Sequence, residues 1–265
     1  MNDGIIGLQD WFESPPGRYL LAWEQQQFDL RVADIFGYHA LQLGLPVLDA
    51  LATNRMSHRW LATRHAGAPG VANPRMALLT DYAALPFPEA SLDLVALPHT
   101  LDSHPDPHAT LREVARVLVP GGRVVLSGFN PASLWGLRQR SEQLCRRVGL
   151  GTPLLPQPLE FIGHWRLHDW LRLLDFEVEI GLHGCYRPLV RSEKWLGRYG
   201  WMDRAGGRWW PFFGAVYFLV AVKRVYGVRL LEPAWRMAGS PSAAAAPLVR
   251  RSSDNRLHMN EEQEA

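Results

Sequence analysis

Residues 111–131, LREVARVLVPGGRVVLSGFNP, constrain the fold more than any other stretch, because a helix must stop and an apolar strand must start within a few residues. Asp106 suits an N-cap and Pro107 the first helical position, while Leu111, Val114, Ala115 and Leu118 recur at the spacing of one apolar helical face. Pro120 cannot continue that helix. Gly121 and Gly122 permit the positive φ of a tight reversal, and a strand over 123–127 follows. Upstream, LDLVALP at 92–98 is a second strand, entered from the turn-rich DYAALPFPEAS. Strand, crossover helix and strand make a right-handed parallel unit whose strands end on the same side. Open parallel sheets bind ligands beyond those ends.

The remaining elements extend this pattern. We expect strands over 39–45, 58–63, 76–82, 176–180 and 214–224, a short helix over 47–53, and longer helices over 19–36 and 166–175. Seven strands interleaved with helices make a three-layer α/β domain, Rossmann-like, with a mostly parallel sheet. A chain of 265 residues holds one such domain, expected over 1–237 with an aromatic and basic insertion at 186–211. Residues 238–265 are polar and aperiodic, as in a disordered tail.

Composition excludes little but bounds the setting. A net charge of +2 does not point to nucleic acid. The first residues lack a basic segment followed by an apolar one, so no cleaved signal is expected. The apolar run at 212–222 is short of the roughly 20 residues that cross a bilayer. Cys145 and Cys185 form no CxxC pattern, which fits a reducing, cytoplasmic location.

With those elements in place, residues 81–131 resemble the class I S-adenosylmethionine-dependent methyltransferases, in particular their type 11-like branch. The resemblance rests on Asp81, the Leu85-Pro86-Phe87 triplet, the strand Leu92-Asp93-Leu94-Val95, and residues 111–122. It implies a Rossmann-like methyltransferase fold, S-adenosylmethionine as cofactor, and an acceptor that the sequence does not name. It also implies Asp81 as the acceptor of the adenine amino hydrogen, Tyr82 packed beside the ring, and Pro98 beside the sulfonium. His99 and Asp102, leaving the same strand, are the candidate catalytic pair, His99 as a base.

The pattern departs from the family after the first strand. There the family has an acid followed by Gly-x-Gly, whereas this chain has LQLGLP: Gln42 stands in the acidic position, Gly44 is kept, and Pro46 replaces the second glycine. Gln42 and Gly44 are carried as cofactor-binding candidates on that alignment. The acid that would hold the ribose at the end of the second strand is absent from HRWLATRH. A scaffold that keeps the sheet but binds a protein or nucleic-acid partner is therefore the alternative to an enzyme.

Two further clusters need an account. His99, His104 and His108 lie among Asp102 and Asp106, but prolines split the spacing and no zinc pattern fits, so no metal site is expected and a solvated loop before a capped helix explains them. The insertion at 186–211 interleaves Arg187, Arg191, Lys194, Arg198, Arg204 and Arg208 with Trp195, Trp201, Trp209 and Trp210. That pattern suits nucleic acid or a membrane surface, but the favoured expectation is a lid or subunit contact in which tryptophans cover the sheet edge and arginines stay wet. No membrane span is expected.

Overall fold

The computed structural model describes residues 11–64, 77–147 and 160–224. All of them belong to one unit, Met1–Val225, and the expected boundary at 237 with its tail lies outside the described residues.

Seven strands form one sheet: β1 (His39–Leu43), β2 (His58–Thr63), β3 (Ala77–Leu79), β4 (Leu92–Pro98), β5 (Leu118–Phe129), β6 (Phe176–Gly184) and β7 (Val216–Lys223). Their order is β3-β2-β1-β4-β5-β7-β6. Every pairing from β3 through to β5 is parallel, and β7 alone runs against both of its neighbours. The C-terminal ends of β1 to β5 therefore share one rim. The sequence switches direction between β1 and β4, which opens a crevice at that rim.

Side chains of the central strands alternate between two cores. Leu94, Ala96 and Val125 join one with Leu20, Phe28 and Val32, whereas Val95, Leu97, Val124 and Leu126 join the other with Leu111, Val114, Leu167 and Leu171. A central sheet buried on both faces is what the near-continuous apolar runs of β4 and β5 require. One face is covered by α1 (Pro15–Val32), capped by the Ser14 hydroxyl, which accepts from the Gly17 amide. The other is covered by α3 (Pro107–Val117) and α5 (His164–Leu173), while the short α2 (Thr100–Ser103) follows β4.

The helix that opened the sequence argument has the expected cap: the Asp106 carboxylate accepts from the Ala109 amide at 2.9 Å. It stops earlier than its apolar spacing suggested, at Val117, because Lys223 of β7 donates to the carbonyls of Ala115 and Leu118 at its C-terminal end. A cation there complements the helix dipole. The strand accordingly begins at Leu118, before the Pro-Gly-Gly, and the reversal is absorbed at Gly121, whose φ is +80°.

Two local expectations fail. The short helix over 47–53 is absent; the segment is a series of turns, for a reason given below. The tryptophans of the insertion do not cover the sheet edge: Trp195, Trp201, Trp209 and Trp210 are exposed. What holds the insertion is Asp203, in α7 (Trp201–Trp209), which accepts from the Tyr19 hydroxyl of α1 and from Arg187 Nε at 2.8 Å. Arg187 also stacks on the Tyr19 ring, and Arg198 lies over the Trp195 ring at 5.5 Å.

Candidate functional site

The ends of β1, β3 and β4 meet at the rim. Thr100, just beyond β4, donates its hydroxyl to the Leu43 carbonyl at the end of β1, 2.5 Å away. A Cβ on Gly44 would stand 3.2 Å from the Tyr82 hydroxyl and 3.5 Å from Thr100 Oγ1. Gly44 has φ +76° and Leu45 φ +42°, so the chain turns through two left-handed residues where it leaves the strand. The cost of placing Leu45 there is met by its burial and by Gln42.

Gln42 is buried and faces back into its own loop. Its Nε2 lies 3.2, 3.1 and 2.7 Å from the carbonyls of Gly44, Leu45 and Leu48, and its Oε1 accepts from the Ala50 amide at 3.0 Å. This latch explains the missing helix. Gln42 takes the Leu48 carbonyl and the Ala50 amide, two groups that a helix over 47–53 would use in its own ladder.

Asp81 follows β3 and keeps its side chain 59% exposed. Its Oδ1 accepts from the Ala83 amide, and His104 Nε2 approaches it at 3.4 Å. The Ala83 hydrogen bond, with His104 and Arg64 nearby, holds the carboxyl below the usual aspartate range. Asp81 is thus an ionised acceptor presented at the rim. The next segment is pinned from α3. Glu113 accepts from the Leu85 amide at 2.8 Å, while Arg116 Nη2 donates to the carbonyls of Leu85 and Phe87 and pairs with Glu113 at 2.6 Å. The Leu-Arg-Glu-Val-x-Arg spacing has a mechanical meaning: the helix grips the Leu-Pro-Phe segment and so fixes the turn that carries Asp81. Tyr82 is buried against His104, with its ring centroid 5.8 Å away, and points its hydroxyl toward Gly44.

His99 and Asp102 lie together under the rim. His99 has φ +50° and is wholly buried. Its Nδ1 is 3.0 Å from Asp102 Oδ2, and its Nε2 is 2.8 Å from Glu24 Oε1 of α1. Asp102 Oδ2 also accepts from the Phe129 amide at 2.9 Å, tying α2 to the end of β5. Burial opposes charge on His99, but Glu24 and the hydrogen-bonded Asp102 outweigh it and push its pKa up to about 10. Burial likewise pushes the Asp102 carboxyl up, against the pull of His99. Aromatic rings wall the group in: Phe129 lies 4.2 Å and Phe12 5.8 Å from the imidazole, centroid to centroid.

Glu24 was missed in the sequence. The signal was there in the row Leu20, Glu24, Phe28 and Val32, a glutamate inside an otherwise apolar i, i+4 stripe, all of it buried. His104 is not a solvated loop residue either: it is buried, with Nδ1 bonded to the backbone of Asp106. His108 packs on Trp170. Among the described residues no group of three His, Cys, Asp or Glu side chains could hold a metal ion.

The residues present fit S-adenosylmethionine on the side of Asp81 and of the bare backbone at Gly44. The ribose side differs, since β2 ends at Thr63, Arg64 follows, and neither supplies a carboxylate.

A sheet of this order, reversed only at β7, with an acid displayed after its third strand, defines a Rossmann-like methyltransferase fold. The family described as "Methyltransferase domain" matches residues 52–126. The uncharacterized protein YafS of Escherichia coli (strain K12) is 31% identical over 174 residues, covering 66% of this chain and 67% of that protein. The 27-O-demethylrifamycin SV methyltransferase of Amycolatopsis mediterranei (strain S699) is 38% identical over 90 residues, 32% of each chain. The ubiquinone biosynthesis O-methyltransferase of Xanthomonas oryzae pv. oryzae (strain PXO99A) is 33% identical over 100 residues, 37% of this chain and 41% of that one. The chain thus spans two thirds of the first relative and well under half of the other two. Among solved structures, an S-adenosylmethionine-dependent methyltransferase of Thermotoga maritima superposes with a TM-score of 0.53 at 14% identity, over 78% of this chain and 92% of that one. The [4+2]-cyclase SpnF superposes at 0.52 with 17% identity, over 76% and 80%. The chain belongs to the class I S-adenosylmethionine-dependent methyltransferase family. Its relatives favour an enzyme over a scaffold, and the cyclase is a reminder that the fold alone does not choose the reaction.

Proposed function

We propose that the chain binds S-adenosylmethionine in the crevice where β1, β3 and β4 end, and transfers its methyl group to an acceptor arriving over the same rim. The observation that carries this reading is Asp81: an ionised carboxylate, exposed, on a turn gripped by Glu113 and Arg116. It would accept the adenine amino hydrogen. The backbone at Gly44 and Leu45 would meet the amino-acid end, with Gln42 acting through the loop it shapes, Tyr82 filling the space below, and Pro98 closing the β4 side.

The cofactor supplies an electrophilic methyl group on a sulfonium, which leaves without help from an acid. The protein's part is orientation, exclusion of water and, for an acceptor that carries a proton, a base. With both ring nitrogens of His99 engaged, we assign His99, Asp102 and Glu24 a positioning role: they lock α1 and α2 against β5 and so fix the floor beside the sulfonium.

Calorimetric titration of the full chain with S-adenosylmethionine and S-adenosylhomocysteine tests the reading. Asp81→Asn should weaken both by roughly tenfold or more, the worth of one charge-assisted hydrogen bond, with the melting temperature unchanged. No heat at millimolar ligand, or an unaltered affinity in Asp81→Asn, overturns it.

A further inference from the structure

Away from the crevice, α4 (Leu134–Arg147), α7 and the 3-10 turn Pro211–Phe213 enclose an open apolar hollow of about 380 Å3. Leu134, Leu137, Tyr186, Met202, Trp210 and Phe213 line it. On the same elements Trp209 is 73% and Phe212 59% exposed, and Leu134, Leu137, Trp201, Trp210 and Phe213 are all about half exposed or more. Soluble proteins scatter single exposed apolar residues, but a continuous group of this size marks a docking surface.

The charge beside it selects the occupant. On α7 the acid, Asp203, is turned inward to Arg187 and Tyr19, so the helix shows solvent Arg204 and Arg208 together with Trp201. On α4 Arg138 and Arg140 are exposed. The exposed apolar residues are mostly tryptophan and phenylalanine. Indole rings settle at the headgroup level of a bilayer, where an apolar body meets a polar edge, and arginines beside them meet anionic lipid. Among the described residues no helix is long and apolar enough to cross a membrane, so attachment would be from one side.

We propose that the surface formed by α4, α7 and residues 209–213 docks on an anionic phospholipid membrane, with Trp209, Phe212 and Phe213 entering the headgroup layer and Arg204 and Arg208 contacting lipid phosphates. The surface is independent of cofactor binding.

Flotation of the full chain with vesicles of phosphatidylcholine, with and without about one third phosphatidylglycerol, tests it. The chain should float with the anionic vesicles, its tryptophan emission should shift to the blue, and added salt should release it. Trp209→Ser with Phe212→Ser should weaken flotation by roughly tenfold or more, with an unchanged circular dichroism melt. Arg204→Glu with Arg208→Glu should abolish the preference for anionic lipid while any weak binding to phosphatidylcholine persists. Absence of flotation at low salt, or equal flotation of the Ser variants, overturns the proposal. So does a dimer in sedimentation equilibrium that dissociates in the Ser variants, which would give the surface to a second copy of the chain.

Discussion

Two buried polar networks sit under the same rim, and they are opposites. The one around Gln42 is neutral and closed: one amide side chain serves three carbonyls and one amide of its own loop. The one around His99 is charged and open: an imidazole lies between two carboxylates from different elements, while Glu24 Oε2 and Asp102 Oδ1 have no protein partner among the described residues. The first replaces, with chain, the work that a glycine-rich loop leaves to the cofactor. The second holds three elements together with charge taken out of water, so its contribution depends on every member staying in place.

Removing a member of each is the sharpest test of that contrast. His99→Ala leaves two carboxylates facing each other across a buried gap, and urea unfolding should show a loss of about 3 to 5 kcal/mol. If the loss were under 1 kcal/mol, the triad would not be the lock described here.

The next effect is one of pH. An imidazole free in the unfolded chain loses its proton near 6.5, whereas His99 keeps it to about 10. Its stabilisation is therefore complete below 6.5 and fades as pH rises through 10. The raised Asp102 acts in the same sense from lower pH, since burial makes its folded form hold the proton more tightly. The urea midpoint should fall steadily from neutral to alkaline pH in the wild type and lose much of that slope in His99→Gln.

Gln42→Ala comes third. It strands several buried carbonyls and one amide, and should cost about 2 kcal/mol while leaving the alkaline slope intact. A changed slope would mean that the two networks are coupled. Asp81→Asn is the smallest, within about 0.5 kcal/mol in urea, because its side chain faces water; its effect should appear in ligand titration alone.

What the sequence made legible was local. The Asp106 cap, the parallel unit of β4 and β5 and the bounds of β2 follow from caps, prolines and apolar period, each of which acts over a few residues. The rim residues also follow in part, since Asp81, Gly44, Tyr82, Pro98 and His99 all lie where β1, β3 and β4 end. What escaped depended on distant partners. Glu24 meets His99 only because α1 crosses beneath it, and 47–53 fails to coil because Gln42 captures the Leu48 carbonyl and the Ala50 amide. The tryptophans of the insertion were expected to cover the sheet edge. They stay outside because Asp203, Tyr19 and Arg187 already provide the anchorage.

The strand that runs backwards has a consequence for how the molecule can change. Gly184, ending β6, is paired with Val216, opening β7, and the Ala215 amide closes on the Cys185 carbonyl. The excursion from Cys185 to Ala215 is thus a hairpin tip whose two feet are stapled side by side. A change of length within it meets only the slow logarithmic rise of closure entropy, so long as the ties of Asp203 and Arg187 to Tyr19 and of Leu189 to the core are kept. The segment is, in engineering terms, a fitting bolted at both feet and moored once more at Asp203.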